Sequence, residues 1–193
     1  MSEVMNPDAI NSEMREDTIL YLNHVKKYFP VTSGLLKKVI GQVKAVDDIV
    51  LDVRKGETLG IVGESGCGKT TLGKGILRLY EPTDGQMFLR SENGTMRDLF
   101  SLPKKESFRT RRRIQMIFQD PYASFDPMKN IYKAFDEPMR IHKLGTKNQR
   151  EEIIADKLET VNLFPDYMYR YPHEFSGGQR QRICIAKALA MDP

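Results

Sequence analysis

The feature that most constrains the fold is a glycine-rich octapeptide, Gly63-Glu64-Ser65-Gly66-Cys67-Gly68-Lys69-Thr70. It directly follows the short apolar run TLGIV at 58–62, a pattern typical of a parallel strand that is covered on both faces. It precedes the segment Lys69 to Tyr80, in which apolar residues recur at helical spacing. The three segments together predict a strand, loop and helix unit of an α/β fold.

The octapeptide fits the pattern G-x-x-x-x-G-K-[ST] at every fixed position. Glycines at 63, 66 and 68 leave room for backbone N–H groups to approach phosphate oxygens, and the helix that follows adds its positive N-terminal dipole. Lys69 is expected to pair with the β and γ oxygens, and the Thr70 hydroxyl to ligate Mg²⁺. The alternative is a glycine turn that only joins a strand to a helix.

Composition places few other limits on the chain. Its 193 residues allow one domain, or one with a small appendage. Lys and Arg total 30 against 26 acidic residues, and a net charge of +4 permits an anionic partner without requiring nucleic acid. No run approaches the roughly 18 to 20 apolar residues that cross a bilayer. Residues 1–17 are polar and unpatterned, so we expect a flexible leader there.

Hydrophobic periodicity predicts the remaining elements. The predicted strands are 18–25, 45–53, 86–90 and 114–118, and the predicted helical segments are 129–163 and 177–191. A basic loop punctuated by Pro30, Gly34 and Gly41 is expected between the first two strands, with Lys37 and Lys38 in it.

A second motif, Ser176-Gly177-Gly178-Gln179, begins the last helical segment. Ser-x-x-Gln is a capping box, in which each side chain satisfies a backbone N–H group of the other residue. Capping does not explain the two glycines, each of which costs about 0.5 to 1 kcal/mol in a helix relative to alanine. A helix start without side chains is instead a good receptor for an anion. The motif alone leaves both interpretations open.

The run from Tyr171 to Arg182, downstream of the octapeptide and of Gln119-Asp120-Pro121, closely resembles the nucleotide-binding subunits of ATP-binding cassette (ABC) transporters. The stretch from Gln119 to Pro127 and the loop after Phe29-Pro30 resemble the branch that imports dipeptides, oligopeptides or nickel. The resemblance spans roughly 18–193. It implies an ABC-type P-loop NTPase domain over those residues, with a helical subdomain at about 120–175.

The resemblance also implies roles for individual residues. Gly63 to Thr71 correspond to the Walker A loop, with Thr71 as a further phosphate contact. Gln119 corresponds to the Q-loop glutamine, which touches Mg²⁺ or the attacking water. Ser176 to Gln179, including Gly177 and Gly178, correspond to the signature motif that binds the γ-phosphate held by the opposite subunit.

One aromatic residue has the position at which relatives stack a ring on adenine. The residue expected there is Phe29, or with less support Tyr28. The alternative for Phe29 is a core aromatic at a strand end.

The implied function is that of an ATP-binding subunit that powers peptide import by ATP binding, dimerisation and hydrolysis. ATP and Mg²⁺ are the expected cofactors. A second ATPase subunit, packed head to tail, and transmembrane permease subunits are the expected partners, with no nucleic acid. Such a subunit is peripheral, on the cytoplasmic face of the membrane. The alternatives are a nucleotide-binding module without hydrolysis and a soluble ABC-type ATPase of DNA maintenance.

The chain departs from the family pattern at its end. Relatives continue beyond the segment that ends at Pro193 into the Walker B aspartate, the catalytic glutamate and a switch histidine. Asp120 and Asp52 are unconvincing substitutes, because a polar residue precedes Asp120 and Asp52 lies upstream of the octapeptide. We therefore expect a C-terminally incomplete domain that has little hydrolytic activity alone.

Overall fold

The structure is a computed structural model that describes residues 14–34 and 38–193. It forms two compact units, one ending at Ser107 and the other running from Phe108 to Pro193. Most of the expected leader, residues 1–13, and Lys37 of the expected basic loop lie outside the described residues.

The first unit is built on a four-stranded sheet in the order β2-β1-β3-β4, in which all neighbouring pairs are antiparallel. Its strands are β1 (Thr18–Ser33), β2 (Lys38–Arg54), β3 (Asp84–Arg90) and β4 (Met96–Asp98). The register sets Leu22 of β1 opposite Leu51 on one side and Met87 on the other. Leu22, Met87 and Phe88 are almost completely buried. Met87 and Phe88 are successive residues and point to opposite sides of β3, so this strand is covered on both faces.

The end of the expected leader lies against this sheet. The carbonyl of Arg15 accepts a hydrogen bond from Arg90 at 2.7 Å, and the carbonyl of Asp17 accepts one from the backbone of Lys55 at 2.8 Å. Residues 15 and 17 are therefore tied to the sheet.

The prediction of a loop from Pro30 to Gly41 is wrong, because β1 and β2 continue through its described residues as a paired ribbon. Pro30 lies opposite Gln42, and Val31 opposite Gly41. Proline is tolerated here because Lys26 is the last β1 residue paired with β3, so that β1 is paired on one side only at Pro30.

Helix α1 (Lys69–Ile76) begins at the octapeptide but is shorter than the predicted segment to Tyr80. It ends because Arg78 has a φ of 54°, which no helix continues. The Arg78 guanidinium donates to the carbonyl of Leu99 at 2.7 Å and to the hydroxyl of Ser107 at 3.1 Å. These bonds hold the chain in the turn that follows the helix.

Two predicted strands are absent from the described residues. No described strand pairs with the runs 58–62 and 114–118, and neither run is itself a strand. Val62 is 95% exposed. A buried parallel strand exists only between neighbours, and the described sheet offers none to either run. The arginines that precede Ile114 belong to helix α2 (Lys104–Arg113).

The second unit is helical, as predicted for 129–163 and 177–191. It contains α3 (Ile131–Ile141), α4 (Lys147–Thr160), two short 3₁₀ turns (Pro165–Tyr169 and Pro172–Glu174) and α5 (Gly177–Leu189). The side chains of Asn130, Thr146 and Ser176 cap the three helices. Fully buried apolar residues at helical spacing form one core from all three helices, namely Ile131, Phe135, Met139, Ile154, Leu158 and Ile183.

Phe135 should be essential to this core. We expect Phe135→Ala to lower the free energy of unfolding by about 3 to 5 kcal/mol, because the ring is fully buried and leaves a cavity. Lys133→Ala on the exposed side of the same helix is the control, with an effect within about 0.5 kcal/mol. Denaturant unfolding measures both changes, and equal destabilisation by the two variants would contradict the assigned core.

Candidate phosphate-binding site

The loop between β2 and α1 is shaped by backbone conformations that only glycine adopts easily. Gly66 and Gly68 have φ angles of 83° and 99°, in the left-handed region. A Cβ added to Gly68 would lie 1.9 Å from the carbonyl oxygen of Ala45 in β2, and one added to Gly63 would lie 2.7 Å from the sulfur of Cys67. The left-handed φ and the nearby Ala45 carbonyl are therefore two independent reasons why residue 68 must be glycine.

Lys69 is the first residue of α1, and its side chain turns back onto the loop. Its ammonium donates to the carbonyls of Gly63 and Glu64, each at 2.6 Å, and lies 3.5 Å from the sulfur of Cys67. The loop thus folds around one positive charge, while Glu64, Ser65 and Cys67 are exposed. A cation held in this way is well placed to bind an anion at the loop surface.

The start of α1 has no side-chain cap. Gly68 occupies the capping position and supplies no side-chain acceptor, and the first turn carries no acidic residue. The first N–H groups of a helix lack intrahelical partners and carry the positive end of its dipole. Thr70 is exposed beside them, whereas Thr71 is half-buried and lines a small apolar cavity with Leu22 and Val46.

The two candidate aromatics lie at successive positions of β1 and therefore on opposite faces of the ribbon. Tyr28 is engaged, since its hydroxyl donates to Asp47 and the Lys44 ammonium lies 5.3 Å from its ring centroid. The Lys44 ammonium also donates to Asp47 at 3.1 Å, and the hydrogen bonds from Tyr28 and Lys44 lower the pKa of the Asp47 carboxyl. Phe29 is half-buried and packs edge to face on Tyr80 at 5.5 Å, which leaves it the better candidate for an adenine contact.

Gln119 belongs to the second unit and is exposed. Its neighbour Asp120 has a local role, because its carboxylate accepts the backbone N–H groups of Tyr122 at 2.8 Å and Ala123 at 3.4 Å. Asp52, the other acid considered as a Walker B substitute, pairs with Arg54 at 3.3 Å. Each aspartate thus has a structural partner, although the other carboxylate oxygen of Asp52 is buried without one among the described residues.

The motif Ser176 to Gln179 forms the predicted capping box. The Ser176 hydroxyl accepts the N–H of Gln179 at 3.3 Å, and the Gln179 side chain accepts the N–H of Ser176 at 3.0 Å. Neither Gly177 nor Gly178 has a left-handed φ, and a Cβ at either would meet nothing within 4 Å. Capping is therefore present, and it gives no reason for the two glycines.

Sequence reasoning missed three residues that shape these motifs. Ala45 supplies the backbone wall against Gly68. Arg180 donates from Nε and Nη2 to the carbonyl of Phe175, at 3.0 and 2.8 Å, and its guanidinium lies 3.7 Å from the centroid of the Tyr122 ring. The contacts of Ala45 with Gly68 and of Tyr122 with Arg180 join segments that are far apart in the sequence, so no local pattern could reveal them. Arg180 and Phe175 are only five residues apart, but their contact has no recognised sequence signature.

Within residues 14–34 and 38–193, no group of three or more His, Cys, Asp or Glu side chains could hold a metal ion. None of the helices in these ranges combines the length and the apolar character that a bilayer span requires.

A glycine cradle built against a sheet, a lysine folded into it and an uncapped helix start define a P-loop phosphate-binding protein. The ABC transporter family model matches residues 46–193. The chain belongs to the ABC transporter family.

Similar proteins agree with this assignment. The chain is 48% identical over 179 residues to the oligopeptide transport ATP-binding protein AppF of Bacillus subtilis, covering 92% of this chain and 53% of AppF. It is 46% identical over 193 residues to the glutathione import ATP-binding protein GsiA of Salmonella typhimurium, covering 97% of this chain and 30% of GsiA. The chain spans about half the length of AppF.

A solved structure of the ATP-binding cassette MJ0796, a dimer in a post-hydrolysis state bound to ADP and Pi, has the same fold. The TM-score is 0.73 at 26% identity, covering 91% of this chain and 71% of that one. The expected ABC-type fold is thus confirmed, as is the resemblance to the peptide importer branch.

Gly68 should be the least replaceable residue of the loop. We expect Gly68→Ala to lower the free energy of unfolding by about 2 kcal/mol and to abolish ATP binding, because the added methyl meets the Ala45 carbonyl at an unfavourable φ. Gly75→Ala in the same helix is the control, since its methyl meets nothing within 4 Å and should stabilise by about 0.5 to 1 kcal/mol. Denaturant unfolding and ATP titration measure both. Normal ATP affinity in Gly68→Ala would refute the assigned cradle.

Proposed function

We propose that this chain is the ATP-binding subunit of a peptide importer, which it powers by ATP binding, dimerisation and hydrolysis at the cytoplasmic face of the membrane. The observation that carries the proposal is the cradle at Gly68, where the backbone of β2 excludes any side chain while Lys69 and the uncapped start of α1 face the same loop. The similarity to oligopeptide and glutathione import proteins supports a peptide as the cargo.

The cradle suits the triphosphate of ATP. The negative charge of the triphosphate is matched by the Lys69 ammonium and by the uncapped N–H groups at the start of α1. These N–H groups can reach phosphate oxygens because no side chain stands in the way. Phe29 extends the site toward the base, because an aromatic face that is only half-buried can stack on a purine. Binding in this scheme is mostly positioning and charge neutralisation.

Mg²⁺ fits the same residues. It prefers oxygen ligands and keeps several of its waters, so a site without a dedicated acidic cage is compatible with it. The Thr70 hydroxyl, exposed beside the cradle, would hold it, and the expected action of Gln119 on the ion comes from the family resemblance. When bound, the ion neutralises charge on the phosphates. Gln119 would also orient the attacking water.

The glycines at the start of α5 support a contact with a second copy of the ATPase. The capping box already satisfies the first turn through Ser176 and Gln179, and Gly177 and Gly178 are required by neither φ nor packing within the described residues. A group from outside the chain that approaches the backbone closely would require them. The γ-phosphate held by the opposite subunit is such a group, and a head-to-tail dimer brings it there.

A groove in the second unit is the site we assign to the transmembrane permease. It has a volume of about 330 Å³, and residues 124–126, which come shortly after Gln119 in the sequence, form part of its lining. Its lining combines apolar and charged residues, namely Phe125, Pro138, Ile141, Lys129, Glu137 and Lys187. Lys129 donates to Glu137 at 2.6 Å, and burial lowers the pKa of Lys187. A short helix with an apolar face and polar flanks fits this lining.

Lys69 tests the nucleotide site. We expect Lys69→Ala to weaken ATP affinity by about 10- to 100-fold, because a charge-assisted hydrogen bond to phosphate is lost. Lys74→Ala is the matched control, since Lys74 lies in the last turn of the same helix, near the Tyr80 ring. Titration with a fluorescent ATP analogue measures both. Unchanged affinity in Lys69→Ala would overturn the proposed function.

Gly178 tests the contact with a second copy. We expect Gly178→Ala to keep ATP affinity and to stabilise by up to about 1 kcal/mol, because its methyl meets nothing within 4 Å among the described residues, and to lower turnover of the assembled ATPase by about tenfold or more. Phosphate release and denaturant unfolding measure the two properties. Full turnover in Gly178→Ala would leave capping as the only role of the motif. ATP binding without any phosphate release from the wild type would instead indicate a nucleotide-binding module.

A further inference from the structure

Two motifs of the second unit are joined by a side-chain stack that neither motif explains. The Arg180 guanidinium lies over the Tyr122 ring, 3.7 Å from its centroid. Tyr122 is three residues after Gln119, and Arg180 is the residue after the Ser176 to Gln179 motif. The stack therefore spans the short distance between the segment that contains Gln119 and the first turn of α5.

Arg180 is firmly attached to the start of α5. Its Nε and Nη2 groups both donate to the carbonyl of Phe175, the residue before Ser176, and its backbone N–H donates to the carbonyl of Ser176 at 3.0 Å. Phe175 is in turn buried, with its ring 5.5 Å from that of Tyr167. If the guanidinium moves, its hydrogen bonds to the Phe175 carbonyl change as well. These bonds hold the chain just before α5 begins.

Tyr122 is attached to the other motif. The Asp120 carboxylate accepts the backbone N–H of Tyr122 at 2.8 Å, and the hydroxyl of Ser124 donates to the carbonyl of Asp120 at 2.9 Å. This tight turn follows Gln119 directly, so a displacement of Gln119 is transmitted to residue 122. The Tyr122 ring is nevertheless 62% exposed, which is unusual for an aromatic residue whose role is packing.

We propose that Tyr122 and Arg180 are positioning residues that couple Gln119 to the first turn of α5. The inference rests on the proposed function, in which Gln119 senses the nucleotide of its own chain and the α5 start contacts that of the opposite copy. Through the stack, occupancy of one nucleotide site adjusts the geometry that the same chain presents to the other. An exposed cation–π contact contributes little to folding, so its effect is on geometry.

The test compares Tyr122→Ala, Arg180→Ala and the double variant in the assembled ATPase. We expect each single variant to lower kcat by about fivefold, the effect expected from the loss of one cation–π contact, with KM for ATP unchanged. The unfolding midpoint should stay unchanged in Tyr122→Ala and fall in Arg180→Ala, which also loses its two hydrogen bonds to the Phe175 carbonyl. The double variant should be no slower than either single variant, because all three lack the same contact. Effects that multiply, or a loss confined to KM or to stability, would overturn the coupling.

Two control variants separate the stack from general packing. Tyr122→Phe keeps the ring and should retain wild-type kcat, because the guanidinium contacts the ring face and not the hydroxyl. Arg170→Ala removes another guanidinium that lies over a ring, 4.3 Å from the Tyr167 centroid, and should leave kcat unchanged. Loss of kcat in either control comparable to that in Tyr122→Ala would show that the effect is not specific to the stack.

Hydrogen exchange gives a readout that does not depend on turnover. ATP should change the exchange of the Gln179 and Arg180 amides in the wild type and in Tyr122→Phe, and should not do so in Tyr122→Ala. An equal response in Tyr122→Ala, or no response in the wild type that binds ATP, would refute the inference alone. Failure of the wild type to bind ATP would refute the proposed function and this inference with it.

Discussion

The start of α1 lies so close to the backbone of β2 that the Ala45 carbonyl oxygen is 1.9 Å from where a Cβ of residue 68 would be. This approach determines where the helix begins, and with it the position of Lys69 and of the uncapped N–H groups. β2 is itself held by β1 over nearly its whole length. The phosphate cradle is therefore supported by a sheet, which gives it the rigidity that a binding site for a defined anion needs.

The glycines at the starts of α1 and α5 differ in whether contacts and backbone angles within the chain require them. At α1 the glycine is required by the chain itself, through its φ of 99° and the nearby carbonyl, and no side chain caps the helix. At α5 the cap is complete, and residues 14–34 and 38–193 impose no demand for Gly177 or Gly178. A motif that satisfies its own helix and still carries two unnecessary glycines has a surface fitted to something outside it. This contrast supports the dimer contact in the proposed function.

Sequence-based prediction succeeded for structure that depends on residues close together in the sequence, and it failed for structure that depends on distant residues. The helices of the second unit and the capping box at Ser176 depend on residues three or four apart, and both were predicted correctly. The strands at Thr58 and Ile114 require partners from elsewhere in the chain, so an apolar run was insufficient. The loop prediction at Pro30 was wrong because β1 pairs with β2 there. This pairing outweighs the preference of the local proline and glycine residues for a turn.

The candidate site shows the same division. The glycine and lysine positions of the octapeptide were evident from spacing, because the chemistry of the loop is local. The roles that depend on distant residues were not: Ala45 contacts a loop more than twenty positions away, and Tyr122 meets Arg180 across most of the second unit. A sequence pattern identifies which residues can bind phosphate. It does not identify the backbone that determines where they lie.

The attachments of the Tyr122–Arg180 stack also suggest which partner moves. Arg180 is held by two side-chain bonds to the Phe175 carbonyl and by the helix, whereas Tyr122 is held by the Asp120 turn and is largely exposed. A displacement of the Gln119 segment is therefore expected to slide the ring beneath the guanidinium rather than to pull α5 along. Since the fork of Arg180 must keep one carbonyl acceptor, a small slide changes the direction of its bonds and leaves their number intact. Under the proposed coupling, the helix start is adjusted without being unfolded.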